Sequence, residues 1–274
     1  TYGYPAGIPG SYDELSDLAG FFTGYQPGMS GIVFAGTDGA QPGSSPWFSL
    51  VSSYGARVLP VDENPESMAW NSSKTRSAIS MLKNLSYFAP PGVEKFGDRE
   101  VIDAFSSGTS AIAITWFSRF PEILAATGGR NMTAGFVPLP GEVTGGESNR
   151  GITVRMQGIG IVRGGDTTAA ERFLGWIYSP PVQLALAESG YQPSRVQVLD
   201  SYEYLSMNPY NRGFPESVRM GVLVGKGVSS EGIREICEET ITACLAPGIN
   251  GSPAQEQAVL DKSAIQIGMM AGKA

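Results

Sequence analysis

The sequence predicts an α/β fold, and three observations carry the prediction. Helical apolar patterns alternate along the chain with short, continuous apolar runs that read as strands. Glycines and prolines punctuate the changes between them. The 274 residues are 42% hydrophobic, enough for one large domain or two modest ones with a substantial core.

The clearest stretch is residues 96–118. Asp98 is a good N-cap, and Glu100 and Asp103 suit an early helical turn. Val101, Ile102 and Phe105 then share one helical face, and Gly108 stops the helix in the left-handed conformation. Ala111, Ile112, Ala113 and Ile114 follow as a strand buried on both faces. Trp116 stands where that strand runs out. Open α/β sheets meet ligands at the carboxyl ends of their strands, so Trp116 is a candidate platform for a ligand with an apolar face.

The other elements follow in order. Residues 11–24 read as a helix opened by a capping box from Ser11 to Glu14, with Leu15, Leu18, Ala19 and Phe22 inward. Gly31–Gly36 is a short strand, and residues 37–46 form a turn-rich loop. A helix runs from Pro46 to Tyr54, and short strands occupy residues 57–70. The helix Ser73–Phe88 places Ala78, Met81, Leu82 and Leu85 at helical spacing. Pro121 starts another helix, ending near Gly128. Residues 141–151 read as a polar, flexible connector, and Ile152–Val162 as one or two strands. A second capping box, Thr168 to Glu171, opens a helix to Tyr178; Pro180 and Pro181 break it, and a further helix runs to Glu188. Two long helical patterns, about 229–245 and 253–271, close the chain.

Composition narrows the chemistry. A formal charge of −7 argues against nucleic acid or an anionic membrane as partner. No apolar run reaches the 18 or so residues of a membrane span. Thr1-Tyr2-Gly3-Tyr4 lacks the basic start and apolar core of a signal peptide, which maturation would have removed in any case. The chain has no histidine, so Ser-His and Cys-His nucleophiles and histidine metal sites are ruled out. Its two cysteines, Cys237 and Cys244, make no zinc site alone. Seven residues of helix rise about 10.5 Å, beyond the roughly 7 Å that a disulfide tolerates, so the two are expected to stay unbonded. No metal or cofactor is expected.

Gly158, Gly160, Gly164 and Gly165 lack the spacing of a nucleotide loop and read as strand glycines that let backbones approach. Trp70 and Trp176 read as structural, the latter beside Phe173 and Leu174. The four Asn-x-Ser/Thr sequons, at Asn71, Asn84, Asn131 and Asn250, read as chance.

The 96–118 module resembles one in the extracytoplasmic sugar-binding proteins of ABC importers, the family that includes maltose-binding protein. Six further pieces keep that family's order. Ser11-Tyr12-Asp13-Glu14-Leu15 resembles its first helix start, Gly31–Gly36 a glycine-bounded strand, and Trp47–Leu50 through Tyr54-Gly55-Ala56 the helix that follows. Gly135–Pro140, Ala169–Leu174 with Ser179–Gln183, and Gly190-Tyr191-Gln192-Pro193 are similar to its later motifs.

The resemblance implies a type II periplasmic-binding-protein-like fold, two lobes around a cleft, and a non-enzymatic role. The chain would bind a carbohydrate and present it to the membrane permease subunits of an importer. It would work in the periplasm or outside the cell, with a lipoprotein anchor open to the full-length parent. The family carries a substantial segment before its Ser-x-Asp-Glu-type helix, so the resemblance also implies an incomplete N-terminal lobe. Residues 11–153 and 206–274 would build the C-terminal lobe, and 154–205 would be a remnant of the N-terminal one. That remnant, with Leu174, Ile177, Leu184 and Leu186 exposed, is expected either to self-associate or to be locally disordered.

The resemblance also offers ligand contacts besides Trp116. Trp47 follows a loop that faces the family's cleft. Asp38 and Gln41 in that loop suit sugar hydroxyls. Gln157 lies where the family usually carries a Gly-Trp pair, replaced here by Met156-Gln157. Two other functions stay open. A binding protein for a polyamine, glycerol phosphate or a peptide would show acidic residues or arginines at the cleft. A glycoside-processing enzyme would show two carboxylates facing each other at about 5–9.5 Å.

Overall fold

The computed structural model of the chain describes residues 7–36, 46–56, 70–128, 134–144, 147–154, 158–223, 230–245 and 252–271. Helix α1 (Tyr12–Phe22) starts where the Ser11 hydroxyl accepts from the Glu14 backbone N–H at 3.1 Å. The Glu14 carboxylate reaches past Ser11 and accepts from the Gly10 N–H at 2.7 Å. Tyr12, Leu15 and Ala19 are buried. Strand β1 (Ser30–Phe34) packs hard against this helix. A Cβ on Gly31 would lie 1.7 Å from the Ala19 carbonyl oxygen, so the close approach requires glycine.

Helix α2 (Trp47–Ser53) buries every residue except Ser52. Helix α3 (Ser73–Tyr87) buries Ala78, Met81, Leu82 and Leu85, the face its spacing predicts. Helix α4 (Asp98–Ser107) differs by one residue at its start. Its N-cap is Gly97, whose N–H donates to the Glu100 carboxylate at 2.9 Å, and Asp98 is the first helical residue. Gly108 ends it with φ +80. Strand β2 (Ser110–Ile114) then pairs parallel with β1, setting Ile32 beside Ile112 and Phe34 beside Ile114. Its ends are buried but its middle only half-buried, because among the described residues it has a strand neighbour on one side alone. Helix α5 (Phe120–Gly128) follows a 3-10 turn at Phe117–Arg119.

The connector at 141–151 is more ordered than its composition predicts. Strands β3 (Glu142–Thr144) and β4 (Glu147–Asn149) form an antiparallel hairpin. Asn149 Nδ2 anchors it to the Ser53 carbonyl at 2.7 Å. Strand β5 (Ile152–Val154) pairs parallel with β6 (Gly221–Leu223). The strand expected through Val162 ends at Val154 among the described residues, and residues 158–162 have no strand partner there. The strands expected at 57–70 fall outside the described residues, except for Trp70, which stands in a turn.

Helix α6 (Thr167–Ile177) is capped by Asp166, which accepts from the Ala169 N–H at 3.0 Å, two residues before the expected cap at Thr168. Pro180 and Pro181 occupy the first turn of α7 (Pro180–Glu188). Three short helices not foreseen follow: α8 (Val196–Leu199), α9 (Tyr202–Met207) and α10 (Phe214–Arg219). Helices α11 (Ser230–Leu245) and α12 (Pro253–Ala271) match the two long closing patterns. Among the described residues no helix is long and apolar enough to cross a membrane.

The main core joins α1, β1, α2, α3 and β2 to α11 and α12, through residues such as Leu15, Ile32, Leu82, Ile233, Ile241 and Leu260. Cys237 and Cys244 lie in it as free, buried thiols on one continuous helix. Polar pairs lock α12 along α3. Trp70 Nε1 donates to Ser263 Oγ at 2.7 Å, Lys83 Nζ meets the Glu256 carboxylate at 2.6 Å, and Asn71 Nδ2 donates to Asp261 Oδ1 at 3.0 Å. Asn84, in a second sequon, donates to Ser16 Oγ at 2.8 Å.

No described residue of 154–205 belongs to that core. A smaller cluster holds Ala187, Val198, Leu199 and Tyr204, with Leu205, Met207 and Phe214 against it. Helix α6 buries no residue. Trp176, expected to be structural, is 58% exposed, and Phe173 beside it is 50% exposed. Leu174, Ile177, Leu184 and Leu186 are only partly buried. Gly158 and Gly160, expected to allow close backbone approach, face open space, because the sheet neighbour that reading needs is absent from the described residues.

Candidate functional site

Trp116 sits two residues past the end of β2, at the entry to the 3-10 turn, with φ −69 and ψ 147. Its side chain is partly exposed. It borders a hollow of about 100 Å³ at the carboxyl end of the β1–β2 pair. Residues 113–117 and Phe120 line it together with Pro46 and Ser49 at the start of α2, and with Val137, Leu139, Ile152, Thr153 and Ser217.

The hollow is mostly apolar and aromatic, with the hydroxyl-bearing Ser49, Thr115, Thr153 and Ser217 among its lining residues. Phe117 packs on Phe120 at 4.7 Å and edge-on against Phe214 at 5.2 Å between ring centres. The Ser49 hydroxyl accepts from the Thr153 N–H at 2.9 Å and donates to Thr153 Oγ1 at 2.9 Å, tying α2 to β5. Thr115 Oγ1 is buried and lacks a hydrogen-bond partner. None of the lining residues is charged. Pockets for drug-sized ligands run to about 300–1,000 Å³, so this hollow by itself is too small to enclose one.

The other residues singled out from the sequence fare differently. Trp47 is fully buried, stacked on Phe48 at 3.9 Å and edge-on to Trp70 at 5.3 Å. This corrects its assignment as a ligand contact. The run Trp47-Phe48-x-Leu50-Val51 is apolar on more than one face, so α2 is swallowed by the core. Its neighbours Pro46 and Ser49 reach the hollow instead. Asp38, Gln41 and Gln157 lie outside the described residues. Thr115, Phe117, Ser49 and Thr153 went unremarked in the sequence. Thr115 and Phe117 flank Trp116 and carry the same strand-end signal, whereas Ser49 and Thr153 are 104 residues apart and only folding joins them.

Comparisons with known proteins agree with this geometry. The signature of the bacterial extracellular solute-binding proteins matches residues 2–184. No curated protein sequence matches the chain. Among solved structures, the sugar-binding protein MalE from Xanthomonas citri superposes with a TM-score of 0.77 at 16% identity, covering 99% of this chain and 66% of its own. Maltose-bound MalE3 from T. maritima gives 0.74 at 16% identity, covering 98% and 67%. A solute-binding protein of an ABC transporter from Agrobacterium radiobacter K84, in complex with ribitol, gives 0.71 at 19% identity, covering 96% and 65%. The chain thus spans about two thirds of the length of the proteins it superposes on. The fold is of the type II periplasmic-binding-protein kind, and the chain belongs to the family of bacterial extracellular solute-binding proteins.

Proposed function

We propose that this chain is the carbohydrate-binding component of an ABC importer, and that Trp116 stacks on the apolar face of a sugar. The carrying observation is the partly exposed Trp116 at the carboxyl end of parallel β2, beside an uncharged, aromatic hollow. Such a surface suits a neutral polyol, whose C–H faces can stack on the indole ring. A polyamine or a phosphorylated solute would call for charged walls, and a glycosidase for paired carboxylates. The hollow's lining shows neither. Asp38, Gln41 and Gln157 remain proposed contacts.

In this reading residues 11–153 and 206–274 form one lobe, and 154–205 belongs to a second. The main core supports a separate second part, since it includes no described residue of 154–205, while a smaller cluster joins Ala187, Val198, Leu199 and Tyr204 to Met207 and Phe214. Closure of two such lobes over the ligand would present the complex to membrane permease subunits outside the cytoplasm. One wall alone binds weakly, because affinity comes from enclosure.

Calorimetric titration with maltose, ribitol, spermidine and glycerol 3-phosphate tests the reading. The neutral solutes are expected to bind, and Trp116→Ala to weaken them by about 1–3 kcal/mol, the value of burying one large side chain. Binding of the charged solutes alone, or unchanged affinity in Trp116→Ala, would overturn it.

A further inference from the structure

We infer that the ion pair between Asp98 and Arg119 is a positioning device that fixes the orientation of Trp116; its functional meaning rests on the binding role proposed above. The indole of Trp116 has no hydrogen bond and no ring stack with any described residue, unlike Trp47 and Trp70. Its direction is therefore set by the backbone that carries it. That backbone is one 3-10 turn between β2 and α5, held at its first carbonyl by the Arg119 N–H, which donates to the Trp116 oxygen at 2.9 Å.

Arg119 ties this turn to the rest of the fold. Its Nε donates to Asp98 Oδ2 at 3.1 Å, across 21 residues of sequence, on the first residue of α4. The pair is largely screened from water, with the Asp98 side chain 12% exposed and that of Arg119 31%. A second contact, to Glu122 at 3.7 Å, is looser and lies on the more exposed side. Asp98 Oδ1 is buried and has no partner. Loss of Arg119 would leave a mostly buried carboxylate uncompensated, a situation that the surrounding chain relieves by moving. On the arginine's side the segment that would shift is the turn that carries Trp116, which Phe117 otherwise anchors through Phe120 and Phe214. Arg119 and Asp98 touch no ligand-facing surface of the hollow themselves; they act through the tryptophan.

The test needs no ligand. Protein labelled with 5-fluorotryptophan gives one fluorine resonance for each of Trp47, Trp70, Trp116 and Trp176, and Trp116→Phe assigns the one in question. Arg119→Met and Asp98→Asn are expected to shift or broaden the Trp116 resonance while those of the buried Trp47 and Trp70 stay in place. Arg119→Lys, which keeps the charge, is expected to restore the native position at least in part. An unmoved Trp116 resonance in both Arg119→Met and Asp98→Asn overturns the inference. So does movement of the Trp47 and Trp70 resonances in both variants, since the pair would then support the whole lobe. Failure of the binding reading shows elsewhere, as maltose affinity indifferent to Trp116→Ala, and leaves this geometric result standing.

Discussion

Replacing Trp70 by Phe removes a hydrogen bond between parts of the chain 193 residues apart. Trp70 is fully buried in the main core, and its Nε1 donates to the Ser263 hydroxyl at 2.7 Å. That hydroxyl passes the bond on to the Leu260 carbonyl at 2.9 Å within α12. A net hydrogen bond contributes about 1 kcal/mol. A phenyl ring lacks two of the indole's ring carbons, about 0.8 kcal/mol for each if a ring carbon is taken as a buried methylene. Trp70→Phe is therefore expected to cost about 2.5 kcal/mol. Ser263→Ala should cost about 1–3 kcal/mol, because it strands a buried indole N–H. The double variant should cost less than the sum of the two by about 1 kcal/mol, since the bond is lost only once. Urea unfolding with an unchanged m-value measures all three. Additivity within about 0.3 kcal/mol would refute an energetic coupling of Trp70 to α12 through this bond.

Three more outcomes are expected. Burial pushes the Cys244 thiol up to about 11 and raises that of Cys237 well above its usual range; both should resist a thiol reagent at pH 8 in the folded protein and react on unfolding, giving two thiols without reductant. Their raised folded values also mean that stability is fully present below the unfolded thiol value of about 8.5 and declines as pH rises past it, which denaturant midpoints at pH 7 and pH 10 will show. Gly31→Ala places a methyl against the Ala19 carbonyl and is expected to cost more than about 4 kcal/mol or to prevent folding; a native urea midpoint would contradict the packing of β1 on α1. Residues 158–177 carry Ile159, Val162, Phe173 and Trp176 exposed by half or more, so light scattering should show association that rises with concentration and is lost in Phe173→Ser with Trp176→Ser; a monomer at every concentration would contradict it.

The sequence by itself determined the elements whose signals are local. The capped start of α1, the helical spacing in α3, the stop at Gly108 and the two closing helices all appear where their patterns place them. Each depends on residues within a turn or two, which is the range over which caps, periodicity and glycine conformation act. The ordered motifs also determined the family, because seven matches in one order survive even where sequence identity to solved relatives is below a fifth.

What only the tertiary structure decided depends on distant partners. The sequence read Trp47 as a ligand contact and Trp176 as structural, yet the first is sealed in the core and the second is exposed, because α2 packs on α3 and β5 whereas α6 packs chiefly on α7. The run 158–162 has the composition of a strand but no strand neighbour among the described residues, and a strand exists only through its pairing. The hollow beside Trp116 is likewise a product of assembly. Pro46, Ser49, Thr115 and Thr153 share it because β1 pairs with β2 and the Ser49 hydroxyl bridges to β5, contacts that no local pattern encodes.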